Sequence, residues 1–183
     1  MTQTETQTVR DIICDISMKK DRQRSFQFFI LFSKFECALK RNSKFLKSKK
    51  IKINTAKICL AEAHWNEFSK ANNCKFHPLF SSELSKAVEY FKATPPKIQI
   101  VKNKKLEWHE SDQYAEGNDL LVWIVNKIKT VRNNLFHGGK FPGEPVSDPS
   151  RDQELMKHAI TILLACLDLD EDVKAQFLEG IDA

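Results

Sequence analysis

"NDLLVWIVNKIKTVRNNLFHGG", residues 118–139, is the stretch that decides the fold. Leu121, Ile124, Val125, Ile128, Val131 and Leu135 recur at the i, i+3, i+4, i+7 spacing of a single helix face. The spacing predicts a helix from Asn118 to Phe136, stopped by Gly138-Gly139, where a left-handed backbone is needed. An apolar stripe of that length needs other helices to cover it.

Reading outward, the flanks supply them. Towards the amino terminus, "RSFQFFILFSKFECALK" (24–40) predicts a helix with apolar residues in nearly every direction. Such a helix lies at the centre of the core or turns one side to a second subunit. Glu36 is its exception, an acid among Phe35, Cys37, Ala38 and Leu39. A shorter helix is expected over Val9–Lys19. Residues 54–72 read as a helix capped by Asn54 and carrying Ile58, Leu60, Ala61, Trp65 and Phe68. Residues 81–93 read as another, capped by Ser81 or Ser82, with Leu84, Val88 and Phe91 as its stripe and Pro95-Pro96 as its stop. "KIQIVKNKKLEWHE" (97–110) alternates around Asn103-Lys104, compatible with a short β-hairpin near 97–108 or with an irregular insertion. A last long helix, Pro149–Leu167, buries Met156, Ile160, Leu163, Leu164 and Leu167, and a tail helix follows at about 170–180. With 5 glycines and 6 prolines in 183 residues there are few breakers. The expected fold is all-α: one domain over 1–183, an up-and-down bundle of four to five core helices with a small insertion at about 93–117.

Composition narrows the function. A net charge of +5 is a mild attraction for anions. It is concentrated in "KRNSKFLKSKKIK" (40–52), where Lys40, Arg41, Lys44, Lys47, Lys49, Lys50 and Lys52 occur with no acid. Such a run reads as a solvated loop or as a phosphate-contacting patch that gains affinity by counterion release. The five cysteines show no CxxC and no Cys/His ligand spacing, which argues against zinc. Three of them, Cys37, Cys59 and Cys166, fall in runs read as apolar helix, where a thiol acts as a small hydrophobe. No metal or cofactor is expected. "MTQTETQTVR" has no apolar signal region, and no run approaches membrane-spanning length, so a cytoplasmic chain without membrane association is expected. Trp65 and Trp123, inside helical runs, read as core rather than as base-stacking platforms; Trp108 is open to either reading.

The end of the 118–136 helix holds the candidate site. Asn133 and His137 are four residues apart and share a face, and Arg132 lies about 100° around the axis from Asn133. His137 can exchange protons near neutral pH. Arg132 is a permanent cation with a fork suited to phosphate oxygens. Asn133 can orient the imidazole or a substrate. The set suits transesterification of RNA by its own 2′-hydroxyl. A histidine at a helix end is also ordinary macrodipole chemistry, and the glycines after it are ordinary caps.

"RNNLFH" (132–137) at the end of an apolar helix, followed by "GGK", resembles the motif of the HEPN superfamily (higher eukaryotes and prokaryotes nucleotide-binding). "FSKFECALKR" (32–41) is similar to the early core helix of its bacterial members. The resemblance covers residues 24–71 and 118–167; the segment 95–112 has no counterpart in it. It implies a homodimer that brings two motifs to one cleft, so that the partner supplies a second histidine. It also implies a metal-independent endoribonuclease of a bacterial toxin–antitoxin or anti-phage defence system, with RNA as substrate and a cognate antitoxin or defence protein as partner. Arg132 and His137 would be catalytic and Asn133 would support them. Glu36 would be an acid pairing with Arg132, although a plain helix-surface acid fits as well. Lys40, Arg41, Lys44, Lys47, Lys49, Lys50 and Lys140 would bind RNA. The alternative within the family is a non-catalytic nucleotide-binding or protein-interaction dimer.

Overall fold

The computed structural model describes residues 21–53, 56–79, 81–136 and 149–179. The helix expected over Val9–Lys19 lies outside the described residues. Helix α1 (Asp21–Arg41) leads into strands β1 (Leu46–Ile53) and β2 (Ala56–Ala63), then helix α2 (Trp65–Phe76) and a 3-10 turn. Helix α3 (Ser82–Ala93) precedes strands β3 (Ile98–Lys102) and β4 (Lys105–His109). Helices α4 (Leu120–Phe136), α5 (Pro149–Leu167) and α6 (Glu171–Leu178) complete the order.

The described residues are mostly helical, as expected, and also form two separate antiparallel hairpins, one more than the sequence suggested. The β3–β4 hairpin sits where alternation allowed one. Asn103 and Lys104 turn it with φ of 52° and 62°, the left-handed pair that a two-residue hairpin needs. The β1–β2 hairpin contradicts the helix expected over 54–72. Asn54, read as its cap, lies outside the described residues, and Ala56–Ala63 after it is a strand paired to β1. The helix begins at Trp65 instead.

Aromatic packing explains why the helices assemble as they do. Phe35 is fully buried; its ring stacks on Trp65 at 5.1 Å and meets Phe68 edge-on at 5.3 Å and Phe177 at 6.5 Å. Phe32 also stacks on Trp65, at 5.0 Å. One α1 face therefore gathers α2 and α6, and each aromatic contact adds about 0.5–1.5 kcal/mol to area burial. Trp65 and Trp123 are buried, in line with the core reading. Cys166 is buried as expected, and burial pushes its thiol pKa up. Cys37 and Cys59 are exposed, one on the open side of α1 and the other on β2, so they are not the small core hydrophobes expected. Helix α5 packs against α1 and α3, and α2 packs against α4.

Caps and polar pins fix the ends. The Ser81 hydroxyl accepts the Leu84 N–H at 3.1 Å, as its sequence position suggests. The Asn73 amide oxygen on α2 accepts the Leu121 N–H at 3.0 Å and so starts α4. Asn134 on α4 is buried and donates its amide to the Lys97 carbonyl at 2.7 Å. Arg151 on α5 donates to the Pro95 carbonyl. The segment leading into the second hairpin is thereby held from two helices.

Candidate functional site

Helix α4 carries Arg132 and Asn133 in its last turn, next to Val131, which is drawn into the core. Arg132 is half-buried and crosses to α1, where a guanidinium nitrogen lies 3.9 Å from the Glu36 carboxylate. It also donates to the Asn133 side-chain oxygen at 3.0 Å. Its charge sits over two rings, 5.5 Å from the centroid of Phe32 and 5.6 Å from that of Phe136. Arg132, Asn133 and Glu36 are thus brought together. His137 and Lys140 lie outside the described residues.

Among the described residues, four partners of modest strength hold the guanidinium. At 3.9 Å the Glu36 contact is an ion pair at its outer limit, and both side chains keep about a third of their surface in water. An exposed pair of this kind contributes roughly 0–1 kcal/mol. The arrangement holds a cation at the end of α4, with about a third of its side-chain surface in water.

Beside Arg132 the surface is apolar. Phe26 is 65% exposed and Phe136 43%, with Phe29 and Ile30 also exposed on the same side of α1. Phe29 and Phe136 touch, ring centroids 5.1 Å apart, joining the two helices in one patch. This is the Phe-rich side that the sequence left free to meet either core or subunit; it meets neither within the described chain.

The basic stretch is not a loop. Lys40 and Arg41 form the last turn of α1, where cations favour the carbonyl end of the dipole. Lys44 lies in the turn after it, and Lys47, Lys49 and Lys50 lie on β1. Acids distant in sequence reach several of them: Arg41 pairs with Glu179 at 3.0 Å, Lys44 with Asp172 at 3.6 Å and Lys49 with Glu62 at 3.8 Å. The stretch is therefore partly neutralised by its neighbours, which sequence proximity alone could not reveal.

Two charged features escaped the sequence reading. Lys127, 4% exposed on α4, holds Asp112 at 2.7 Å and lies over the Trp123 ring at 5.4 Å. The Lys127 hydrogen bond keeps the Asp112 carboxyl below its usual range. A cavity of about 410 Å³, away from Arg132, is lined by Lys97, Glu110, Ser111 and Arg151 among others. Lys97 and Glu110 pair at 2.8 Å across it. Among the described residues no group of three or more His, Cys, Asp or Glu side chains could hold a metal ion, and no helix is long and apolar enough to cross a membrane.

No protein-family model, curated protein or solved structure matches this chain.

Proposed function

We propose that the chain is a metal-independent endoribonuclease of a bacterial toxin–antitoxin or anti-phage defence system, built on a HEPN-like up-and-down bundle and working as a cytoplasmic homodimer. The observation that carries the reading is the cluster of Arg132, Asn133 and Glu36 at the last turn of α4, immediately before His137. In the proposed reaction the RNA 2′-oxygen attacks the adjacent phosphorus and the 5′-oxygen leaves. His137 of one subunit accepts the 2′ proton and the equivalent histidine of the other protonates the leaving oxygen. Arg132 stabilises charge on the pentavalent phosphorus, and Glu36 with Asn133 holds the guanidinium in line. The exposed patch of Phe26, Phe29, Ile30 and Phe136 supports a dimer, because a second copy would bury it beside Arg132.

A second reading draws on the same ion pair. If Glu36 keeps Arg132 within the chain, the guanidinium is a clasp between α1 and α4, and the protein is a non-catalytic HEPN-type nucleotide-binding or protein-interaction dimer. The deciding experiment is RNA cleavage in EDTA by wild type, Arg132→Ala and His137→Ala. Loss of cleavage in both variants is expected. Cleavage that survives both substitutions rejects the mechanism; a wild type that binds nucleotides or a partner protein without cleaving favours the clasp.

A further inference from the structure

The β3–β4 ribbon shows water an apolar surface that its own fold leaves unused. Val101 is 73% exposed and Leu106 66%, the most exposed of the large hydrophobic side chains described. They lie directly opposite each other in the ladder, and paired residues of an antiparallel ladder share a face. On the same face, one pair nearer the foot, Trp108 stands opposite Gln99, and both are half-buried. The charge gathers at the free end. Lys102 and Lys105 flank the Asn103-Lys104 turn, and Glu107 is the one acid between residues 98 and 109. Glu107 pairs with Lys102 at 4.0 Å, and no described acid pairs with Lys104 or Lys105. Three cations thus ring the end of an apolar platform roughly 17 Å long, the rise of five strand residues.

We infer that this platform, Val101, Leu106 and Trp108 edged by Lys102, Lys104 and Lys105, docks an unpaired RNA strand. The bases would lie on the apolar face and the phosphates along the lysines. Lys102 and Lys105 root on the opposite face, and their flexible four-carbon stems bring the ammonium groups to the ribbon's edge. Size disfavours a protein partner, because a stable protein interface takes about 800 Å² from each side and one face of two five-residue strands does not provide it. Shape disfavours a lipid surface. The ribbon would enter lipid tip first, and its tip is Asn103-Lys104 with a lysine on either side, the apolar pair sitting back on one flank. A paired stem turns its bases inward and has nothing to lay on Val101 and Leu106. An unpaired strand offers base faces to Trp108 and phosphates to the cations beside it.

The inference rests on the ribonuclease reading, for which the ribbon would lead substrate towards Arg132. Asn134, two residues beyond Arg132 on α4, donates to the carbonyl of Lys97, the residue before β3. One turn of α4 therefore sets both Arg132 and the root of the ribbon, on roughly opposite sides of the helix and about 10 Å apart, a helix diameter.

The test uses the full chain, an oligo-uridine and a blunt RNA duplex of equal length. One variant combines Val101→Ser with Leu106→Ser, and a second is Trp108→Ala. A third combines Lys102→Gln, Lys104→Asn and Lys105→Gln, asparagine being chosen for the left-handed φ at position 104. Trp108→Ala is expected to weaken oligo-uridine binding about 5- to 150-fold, the loss of one stacked base. The serine pair, both positions in solvent, is expected to weaken it as well and keeps the test valid should Trp108→Ala unfold the chain. Three phosphate contacts on an unpaired strand add about 2.1 to the log–log salt slope, so over a fourfold rise in salt the wild type loses about 20-fold more affinity than the lysine variant. Duplex binding is expected to change little in all three. Oligo-uridine affinity that is unchanged in the serine and lysine variants, at an unchanged thermal midpoint, overturns the inference. Equal losses for the duplex overturn the preference for unpaired RNA, and tighter wild-type binding to phosphatidylserine vesicles than to oligo-uridine overturns the choice of partner. Oligo-uridine held through the platform but never cut rejects the nuclease and keeps the platform. Cleavage that needs Arg132 but is indifferent to all three variants keeps the nuclease and rejects the platform.

Discussion

Substituting Asp112 with alanine probes Lys127, the one charged side chain that is buried almost completely among the described residues. The Lys127 side chain is 5% exposed, and the Asp112 carboxylate 2.7 Å away is its ionic partner. Removing one partner of a fully buried pair costs about 3–5 kcal/mol, because the other charge stays desolvated. Here the Asp112 side chain is 79% exposed, so water can replace part of what the carboxylate does. The Trp123 ring also retains some hold on the ammonium. Discounting for both, Asp112→Ala should cost about 1.5–2 kcal/mol, a fall of roughly 3–8 °C in melting temperature for a chain of this size. Lys127→Met removes the charge itself and should stay within about 1 kcal/mol of wild type, and adding Asp112→Ala to it should cost almost nothing more. The pH dependence has a definite sign. The folded Asp112 pKa lies below the unfolded value of about 3.9, so its contribution is complete above that value and is lost as pH falls through the folded pKa. Thermal melts of the four proteins at neutral and acid pH test this directly. A loss below about 0.5 kcal/mol for Asp112→Ala at neutral pH, or an equal loss in the Lys127→Met background, would refute the reasoning.

Three further outcomes follow from particular contacts. Ser81→Ala removes the cap on Leu84 and should cost about 1 kcal/mol by urea titration, with Ser81→Asn restoring most of it. Phe35→Ala empties the junction of Trp65, Phe68 and Phe177 and should cost about 3–5 kcal/mol; a smaller loss would mean that α1 repacks. Phe26→Ser should leave the melting temperature of the monomer nearly unchanged while shifting sedimentation from dimer towards monomer.

The helices were legible in the sequence where period, cap and stop agreed. The stripe from Leu121 to Leu135, the Ser81 cap and the Pro149 start each place an element close to its observed bounds. The first hairpin was hidden for a physical reason. A strand announces itself when one face is buried, and β1 carries exposed lysines at both odd and even positions. Ile58, Ala61, Trp65 and Phe68 meanwhile happen to fit a helical spacing, although only the last two belong to a helix. Glu36 was visible as an acid in an apolar run, but its approach to Arg132 depends on how α4 crosses α1. Lys127, set between Ile124 and Ile128, gave no sign that its ammonium is buried against a loop aspartate. The engagement of Arg41 and Lys44 by the α6 region joins residues more than a hundred positions apart.

The second hairpin is held at its feet. Asn134 and Arg151 hold the chain before it, and Lys127 holds Asp112 after it, while Val101 and Leu106 near its tip stand in solvent. Its outer half thus stands away from the bundle, in solvent. The Asn103-Lys104 turn becomes a natural socket, where a peptide tag or a small fluorescent domain can be spliced in with the bundle left as it is.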